Sequence, residues 1–592
     1  MNLSRREFLQ MLAIAGASSA GLTDCAMRKS HKSDTLQADA DHLYNMPVYG
    51  NVSLLHMTDC HAQLLPVDFR EPSINIGVGS AWGHPPHLVG EHYLKYFHIP
   101  PGGRRANAFT YLNFTEASRR YGKIGGFAHL ATLLKRVRAD RAHRSLLLDG
   151  GDTWQGSATS LWTQGRDMIG AQRLLGIDAM TAHWEFTYGA KRVKDAIKNE
   201  LGPIEFLAQN VNSSTWGSLV FKPYMMRDVN GVKVAVIGQA FPYTTIANPA
   251  YMVPDWEFAI DQSHMQKTVD EVRAKGAQVV AVLSHNGMDV DLKMAHNVHG
   301  IDVILGGHTH DAEAEPVPVR NSGGTTLVFN SGSNTKFLLV LDLDVRGGRV
   351  KGYRSRLMPI FANLLPADPE MAAYIEKVRA PYKDKLARPL AVTEGLLFRR
   401  GNFNGTFDQV IVDAQLAVSG AQIAMSPGFR WGTSLLPGEP ITMEDLMNQT
   451  AITYPATTLD TYTGKELKGT LEQIADNLFN KDPYYQQGGD MVRVGGMTYT
   501  MAPERNIGHR ISDMRLANGE RIEANKHYTV SGWADVHHPK RPGPAIWDLV
   551  TEYLHDKKTV DIKEPYTPRL IGMQNNPGYA PWPGPKKAAV GA

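Results

Sequence analysis

The chain of 592 residues has only two cysteines, Cys25 and Cys60, and lacks both a run of like charge and a long apolar run beyond its N-terminus. Two cysteines, one of them within or just past an N-terminal signal, do not make a disulfide framework even in an exported protein. The 62 Lys plus Arg nearly balance 59 Asp plus Glu, leaving a net charge of +3. That balance argues against a nucleic-acid-binding surface as the main purpose. A spanning helix needs about 18 unbroken apolar residues, so no membrane span is expected and the mature chain should be soluble. The length exceeds what one core accommodates and points to two domains plus appendages.

What is present begins with a targeting segment. Ser4-Arg5-Arg6-Glu7-Phe8-Leu9 is a twin-arginine pattern, and the small apolar stretch Met11 to Ala17 follows it. Residues 1–25 are read as an export signal directing the folded chain to a bacterial periplasm, which suits an enzyme that acquires metal before export. An amphipathic helix that opens the fold is the alternative. Cys25 could accept lipid, although Asp24 stands where small residues are usual.

Residues 26–50 read as a linker and 51–362 as a catalytic domain of alternating strands and helices, followed by an interdomain helix over 363–389. A second α/β domain is expected over 390–575, and a flexible tail over 576–592. Phe127, Leu130, Leu134 and Val137 recur at helical spacing and mark a core-facing stripe. The segment 66–121, rich in Pro, Gly and His, fits neither periodicity and reads as a loop layer near the mouth of the site. Its His84 and His87 follow no strand and read as ordinary loop histidines.

Five short clusters carry the chemistry: Asp59-Cys60-His61, Asp149-Gly150-Gly151-Asp152, His183-Trp184-Glu185, Ser284-His285-Asn286 and Gly307-His308-Thr309-His310. Apolar strand-like runs such as Val52 to Met57, Leu146 to Leu148, Val279 to Leu283 and Val303 to Leu305 lead into them. In an open α/β sheet the carboxyl ends of parallel strands share one edge, so residues just past several strands converge. A single Asp-x-His is weak, because Asp535-Val536-His537 repeats it with no apolar strand leading in. A lone histidine at a strand end is usually a satisfied structural residue, but five in this order are not. Two adjacent divalent ions need a bridging carboxylate. Asp59, His61 and His310 are assigned to one ion and His183, His285 and His308 to the other, with Asp152 shared. Cys60, between two ligands on an extended segment, should point away from them and pack.

The order D-x-H, G-D-x, a G-N-H-E-like segment, S-H and G-H-x-H resembles the calcineurin-like metallophosphoesterases, and the two-domain layout resembles periplasmic 5'-nucleotidases. Thr58 to Leu64, Arg70 to Gly77, Gly150 to Ser157 and His183 to Gly189 are most similar to the SoxB family, the thiosulfohydrolases of bacterial sulfur oxidation. The resemblance implies a layered αββα metallophosphoesterase-like domain joined to a 5'-nucleotidase-like α/β domain, so the fold class is α/β, α+β overall. It implies two manganese ions, with zinc or iron also suited to the donors, a SoxYZ-type carrier protein bearing the substrate cysteine, and a monomer.

Relative to the nucleotidase pattern Gly-Asn-His-Glu-Phe-Asp-Tyr-Gly, the ligating Asn is replaced by His183, the catalytic His by Trp184 and its Asp partner by Thr187. A persulfide is a far weaker base than an alkoxide and can leave without an acid. The implied reaction is attack of a metal-bound hydroxide on a cysteine S-thiosulfonate, releasing sulfate and leaving a persulfide. His183, Trp184 and Arg430 are the candidate catalytic residues. Arg430 is a candidate clamp for sulfonate oxygens, or else a domain-interface salt bridge. Trp431, with Phe429, is expected to line the substrate channel. A 5'-nucleotidase-like metallophosphoesterase is the alternative enzyme, and an exported non-catalytic metal-binding protein the alternative outside enzymes.

Overall fold

A computed structural model describes residues 39–537, 539 and 541–582. The twin-arginine stretch, Cys25 and the end of the tail lie outside the described residues. The chain divides into two compact units meeting between Pro47 and Val48. In the first, residues 39–44 are helical; everything that follows concerns the second.

The catalytic domain is built on two six-stranded sheets. In one, Val52–Met57 pairs in parallel with Ser145–Asp149, which pairs in parallel with Ala179–Met180. Met57, Asp149 and Met180 share one level across these strands, so the loops that follow start together at one edge. On the other flank Phe337–Arg346 and Arg349–Pro359 run antiparallel. In the second sheet Val232–Gln239, Val279–Ser284, Val303–Gly306 and Gly324–Asn330 are parallel neighbours. The inner strands are apolar on both faces, as a parallel sheet covered on both sides requires; Val279–Ser284 is buried along its whole length. The helices Gln262–Ala274 and Met288–Asn297 cover one face, placing Met265, Val269, Met288 and Met294 against Val280, Val282 and Ile304.

Phe127–Ala139 forms the expected helix with Phe127, Leu130, Leu134 and Val137 buried, and it packs against Pro369–Arg379. Asp368 caps that second helix at the Met371 amide (3.1 Å), with Pro369 in its first turn. The interdomain segment is not one helix. Pro381 lacks the amide that would continue the ladder, and a short turn Ala380–Tyr382 separates Pro369–Arg379 from Lys383–Leu386.

In the second domain a four-stranded sheet holds Thr457–Thr463, His527–Trp533, Ile423–Ser426 and Arg493–Gly495 in that order. The helix Gly464–Phe479 starts at a capping box between Thr463 and Glu466. It buries Leu467, Leu471 and Phe479 in a cluster with Val494 and Val530.

Two further expectations need correction. The 66–121 segment carries three short helices, Gly90–Tyr96, Arg104–Phe109 and Phe114–Tyr121. It contributes nothing to the lining of the cavity at the metal-ligand cluster. Tertiary contacts that periodicity cannot show order it: Phe109 packs on Tyr93 and Phe337, and Asp68 bridges to Ser434 of the second domain. The tail is also not free from residue 576. Asn75 N donates to Gly578 O (2.7 Å), Ala580 N to Ser73 O (2.8 Å), and Asn576 Nδ2 to Gly77 O (2.9 Å), and Tyr579 packs on the cluster that holds Ile74 and Ile76, so hydrogen bonds and apolar contact together hold these residues against the 73–77 strap.

Candidate metal centre

Asp59 and His61 follow Val52–Met57, Asp152 follows Ser145–Asp149, and His183 follows Ala179–Met180. From the second sheet, His285 follows Val279–Ser284, and His308 and His310 follow Val303–Gly306. Asp59, His61, Asp152, His308 and His310 all adopt positive φ, from 44° to 74°. Left-handed backbone at so many non-glycine residues is costly and persists where the surroundings over-determine it, as at functional sites.

The seven side chains, all buried, fall into two groups whose potential ligand atoms lie within 4.8 Å of one another: Asp59, His61, Asp152 and His310, and Asp152, His183, His285 and His308. In the first, His61 Nε2 stands 3.0 Å from His310 Nε2 and 3.6 Å from Asp152 Oδ2. His310 Nε2 is 3.3 Å from Asp59 Oδ1. In the second, Asp152 Oδ2 lies 3.0 Å from His285 Nε2 and 3.5 Å from His183 Nδ1. Asp152 alone belongs to both.

The donor set suits divalent ions on grounds independent of the motif. Four of the five histidines offer one ring nitrogen to a fixed oxygen, leaving the other for the centre: His61 Nδ1 to Gln155 O (3.1 Å), His183 Nε2 to Asn248 Oδ1 (3.0 Å), His285 Nδ1 to Gly150 O (2.6 Å) and His308 Nε2 to Gln487 O (2.9 Å). Such outer contacts set tautomer and ring orientation at metal sites. The inward His183 Nδ1 and His285 Nε2, both buried, face Asp152 Oδ2 without hydrogen-bond geometry, a state that is expensive unless another group satisfies it. Imidazole and carboxylate donors accommodate manganese, zinc or iron.

Electrostatics agree. Burial alone would lower His285, but Asp152 and Asp59 raise it to about 10. Against its own burial, Asp152 is held well below the usual carboxylate range by His285 and His183. Burial pushes His61 down to about 4 and holds His308 and His310 well below the ordinary imidazole value. His61, His308 and His310 are thus held as neutral imidazoles, the form in which a histidine ligates a metal, while His285 is charge-paired to the carboxylates.

Glu185 locks the two loops that carry Asp152 and His183. Its carboxylate accepts from the amides of Thr153 (2.7 Å), His183 (3.0 Å), Trp154 (3.2 Å) and Asp152 (3.3 Å). Beside it, Trp184 N donates to Asp152 Oδ1 (2.7 Å), and the indole stands edge-on to Phe429 and Trp431 and parallel to Tyr454. Trp431 stacks on His61 at 5.4 Å. Thr187 Oγ1 is occupied by Trp184 O (2.7 Å). No protonatable side chain stands at position 184 or 187.

The expected substrate residues face a cavity of about 540 Å³ lined by His61, Asp152, His183, Trp184, Arg430 and Trp431 among others, with half-exposed Ile246 at its edge. Arg430 Nε donates to Asp490 Oδ1 (3.4 Å), an ion pair within the second domain, while its buried Nη1 has no partner. Behind it runs a buried chain of charges, Arg430–Asp490–Arg493–Asp408–Arg399, with three cations to two anions. Trp431 Nε1 is likewise buried and unpartnered. Both atoms are donors, which suits an anionic occupant.

Sequence reasoning missed Asn248, Gln487 and Tyr454, whose residue types carry no ligand signal and which reach the centre only by long-range folding. It also set aside Asp535-Val536-His537. The strand His527–Trp533 does lead into that triplet, which lines the cavity. The His537 side chain is 86% exposed, however, and bonds to Asp535 (3.3 Å), so it stands at the rim away from both ligand groups. His87 is no ligand of either group and pairs with Asp289 (3.0 Å). Cys60 is buried and free, with Sγ 3.8 Å from Thr58 O.

The structure of Thermus thermophilus SoxB, described as a sulfate thiohydrolase, superimposes with a TM-score of 0.84 at 34% identity, over 89% of this chain and 98% of that one. The chain belongs to the SoxB family of the 5'-nucleotidase superfamily. The family model for the 5'-nucleotidase C-terminal domain matches residues 392–534. Bovine 5'-nucleotidase is 25% identical over 457 residues, 69% of this chain and 76% of that protein. The trifunctional nucleotide phosphoesterase YfkN of Bacillus subtilis is 26% identical over 70% of this chain, which spans only 30% of its length. As a SoxB relative, the chain is a two-domain hydrolase with a buried Asp/His cluster consistent with two metal ions.

Proposed function

We propose that this chain is an exported thiosulfohydrolase that releases sulfate from a cysteine S-thiosulfonate on a SoxYZ-type carrier protein and leaves the cysteine as a persulfide. The observation that carries the reading is the aromatic wall of Trp184, Phe429, Trp431 and Tyr454, standing where the nucleotidase pattern has a protonating His–Asp dyad. A phosphate ester needs help for its departing alkoxide; a persulfide does not.

Asp59, His61, Asp152 and His310 would hold one ion, and Asp152, His183, His285 and His308 the other. Two manganese ions there supply Lewis acidity, which lowers the pKa of water and offsets developing negative charge. The chain's own residues do the rest. Arg430 Nη1, unpartnered at the cavity wall, receives the sulfonate oxygens, and its pairing to Asp490 fixes its direction. The indole and phenyl rings exclude water from the sulfane sulfurs. In the overall balance the terminal sulfur gains an oxygen from water, the S–S bond breaks, and its electron pair stays on the sulfane sulfur as the persulfide anion.

The match of residues 392–534 to the nucleotidase C-terminal domain favours a second reading, a periplasmic 5'-nucleotidase-like metallophosphoesterase. The test is to load the mature protein with manganese and measure sulfate release from a thiosulfonated carrier cysteine, with a nucleoside monophosphate as parallel substrate. Sulfate without phosphate is expected. Phosphate without sulfate overturns the proposal in favour of the second reading.

A further inference from the structure

One ligand histidine is held from the opposite domain. His308 extends from the end of Val303–Gly306, but its Nε2 meets the carbonyl of Gln487 (2.9 Å) in the turn before Arg493–Gly495. Gly488 makes the approach possible. Its φ is +67°, and a Cβ there would collide with His308 Nε2 and stand 2.7 Å from Cδ2. Two residues on, Asp490 Oδ1 accepts from Arg430 Nε (3.4 Å) and Oδ2 from Arg493 Nη2 (3.1 Å). Asp490 N donates to Gly428 O (2.9 Å), tying the turn to the strand end that carries Arg430. The turn is fastened on its other side as well: Lys293 of the catalytic domain pairs with Asp482, Tyr243 donates to Tyr484 O, and Gln487 N donates to Asn477 O (3.1 Å).

We propose that the turn Gln487-Gly488-Gly489-Asp490 is a positioning element that couples the metal ligand His308 to the anion-facing Arg430. The Gln487 carbonyl keeps His308 in the Nε2–H tautomer and turns Nδ1 toward the centre. Asp490 holds the guanidinium that faces the same cavity. With only two residues between these contacts, the turn cannot shift at one end without shifting at the other. The second domain thereby sets the geometry of the metal site and of the anion subsite together.

The inference rests on the assignment of the two Asp/His groups as metal sites, and the experiment separates the two. Manganese stoichiometry and affinity are measured for the wild type, Gly488→Ala and Gly489→Ala by equilibrium dialysis with metal analysis. Sulfate is then used as a competitive probe on protein saturated with manganese. A wild type that fails to bind two ions overturns the metal assignment. Given two ions, Gly488→Ala is expected to weaken one of them about 10- to 100-fold, the usual cost of an outer-contact change, and to weaken sulfate binding even when metal is restored. Gly489 has φ +76° but no atom closer than 3.8 Å to its would-be Cβ, so Gly489→Ala carries backbone strain without the collision. Equal loss of metal in both alanine variants, or unchanged affinity in Gly488→Ala, overturns the contact. Metal loss with unaltered sulfate affinity at saturating manganese overturns the coupling. Asp490→Asn is expected to retain two ions while weakening sulfate about tenfold; unchanged sulfate affinity overturns the Arg430 half of the proposal.

Discussion

The two walls of the cleft are made differently. On the catalytic side each candidate ligand stands within four residues of a strand end, and backbone pairing sets the level of those ends within each of the two sheets. On the other side the groups come from separate loops: Phe429 to Trp431 after Ile423–Ser426, Tyr454 before Thr457–Thr463, and Gln487 to Asp490 before Arg493–Gly495. Ring stacking and a buried ion chain hold them in place rather than sheet register. A wall built on strand ends can hold fixed ion geometry. A wall built on loops leaves room for substitution without disturbing the ligand geometry.

The comparison is broken most severely at Asp152, the one residue common to both ligand groups. Asp152→Asn keeps the shape but removes the bridging charge. Metal analysis should show loss of both ions, and sulfate release should fall by more than the 10- to 100-fold of outer-contact changes. Retention of two ions at wild-type affinity would refute the bridging role. The reverse experiment rebuilds the nucleotidase chemistry on the strand-end wall, where its Trp184 ring meets the loop wall. Trp184→His with Thr187→Asp restores a general acid and its partner, so hydrolysis of a nucleoside monophosphate should rise by about 10²-fold or more. No rise would mean that substrate exclusion by the aromatic wall, rather than the missing acid, sets specificity.

The difference between the walls also explains what the sequence disclosed. The order of strand-end clusters located all seven members of the Asp/His groups, because strand and ligand adjoin in the chain. Arg430 and Trp431 were reached by resemblance rather than by pattern. Asn248, Tyr454 and Gln487 left no trace, since a side-chain amide 65 residues from His183, a phenol 206 residues from that amide and a backbone carbonyl 179 residues from His308 are compositionally ordinary. The 66–121 segment was misjudged for a related reason. Its helices are short, and the segment is fastened by contacts such as the Lys336–Glu71 pair, Arg400 Nη1 to Glu71 Oε2 (3.0 Å) and Lys336 Nζ to Ala108 O (3.0 Å), which no local periodicity encodes.

A finer test of the loop wall is Arg430. A charge-assisted hydrogen bond contributes about 1.5–3 kcal/mol, or roughly 10- to 150-fold in binding. Arg430→Ala should raise KM for the thiosulfonated carrier within that range while leaving two ions bound. Arg430→Lys should recover only part of the loss, because an ammonium lacks the planar fork that matches paired oxygens. Full recovery by lysine would reduce the role to net charge, and no effect in either variant would leave Arg430 as a partner of Asp490 alone.

The smallest expected effect lies where the walls touch. Asn248 Oδ1 accepts from His183 Nε2 (3.0 Å), and its Nδ2 donates to Tyr454 OH (3.1 Å), so one side chain serves a ligand on the strand-end wall and a ring on the loop wall. Asn248→Ala removes both contacts and should weaken one ion about tenfold. Tyr454→Phe removes only the bond across the cleft and keeps the ring parallel to Trp184; metal affinity should then stay within about threefold, the cost of a single neutral hydrogen bond at the low end of its range. If Tyr454→Phe costs as much as Asn248→Ala, the orientation of His183 depends on the second domain, and the division between a self-sufficient strand-end wall and an adaptable loop wall would fail at this ligand as it does at His308.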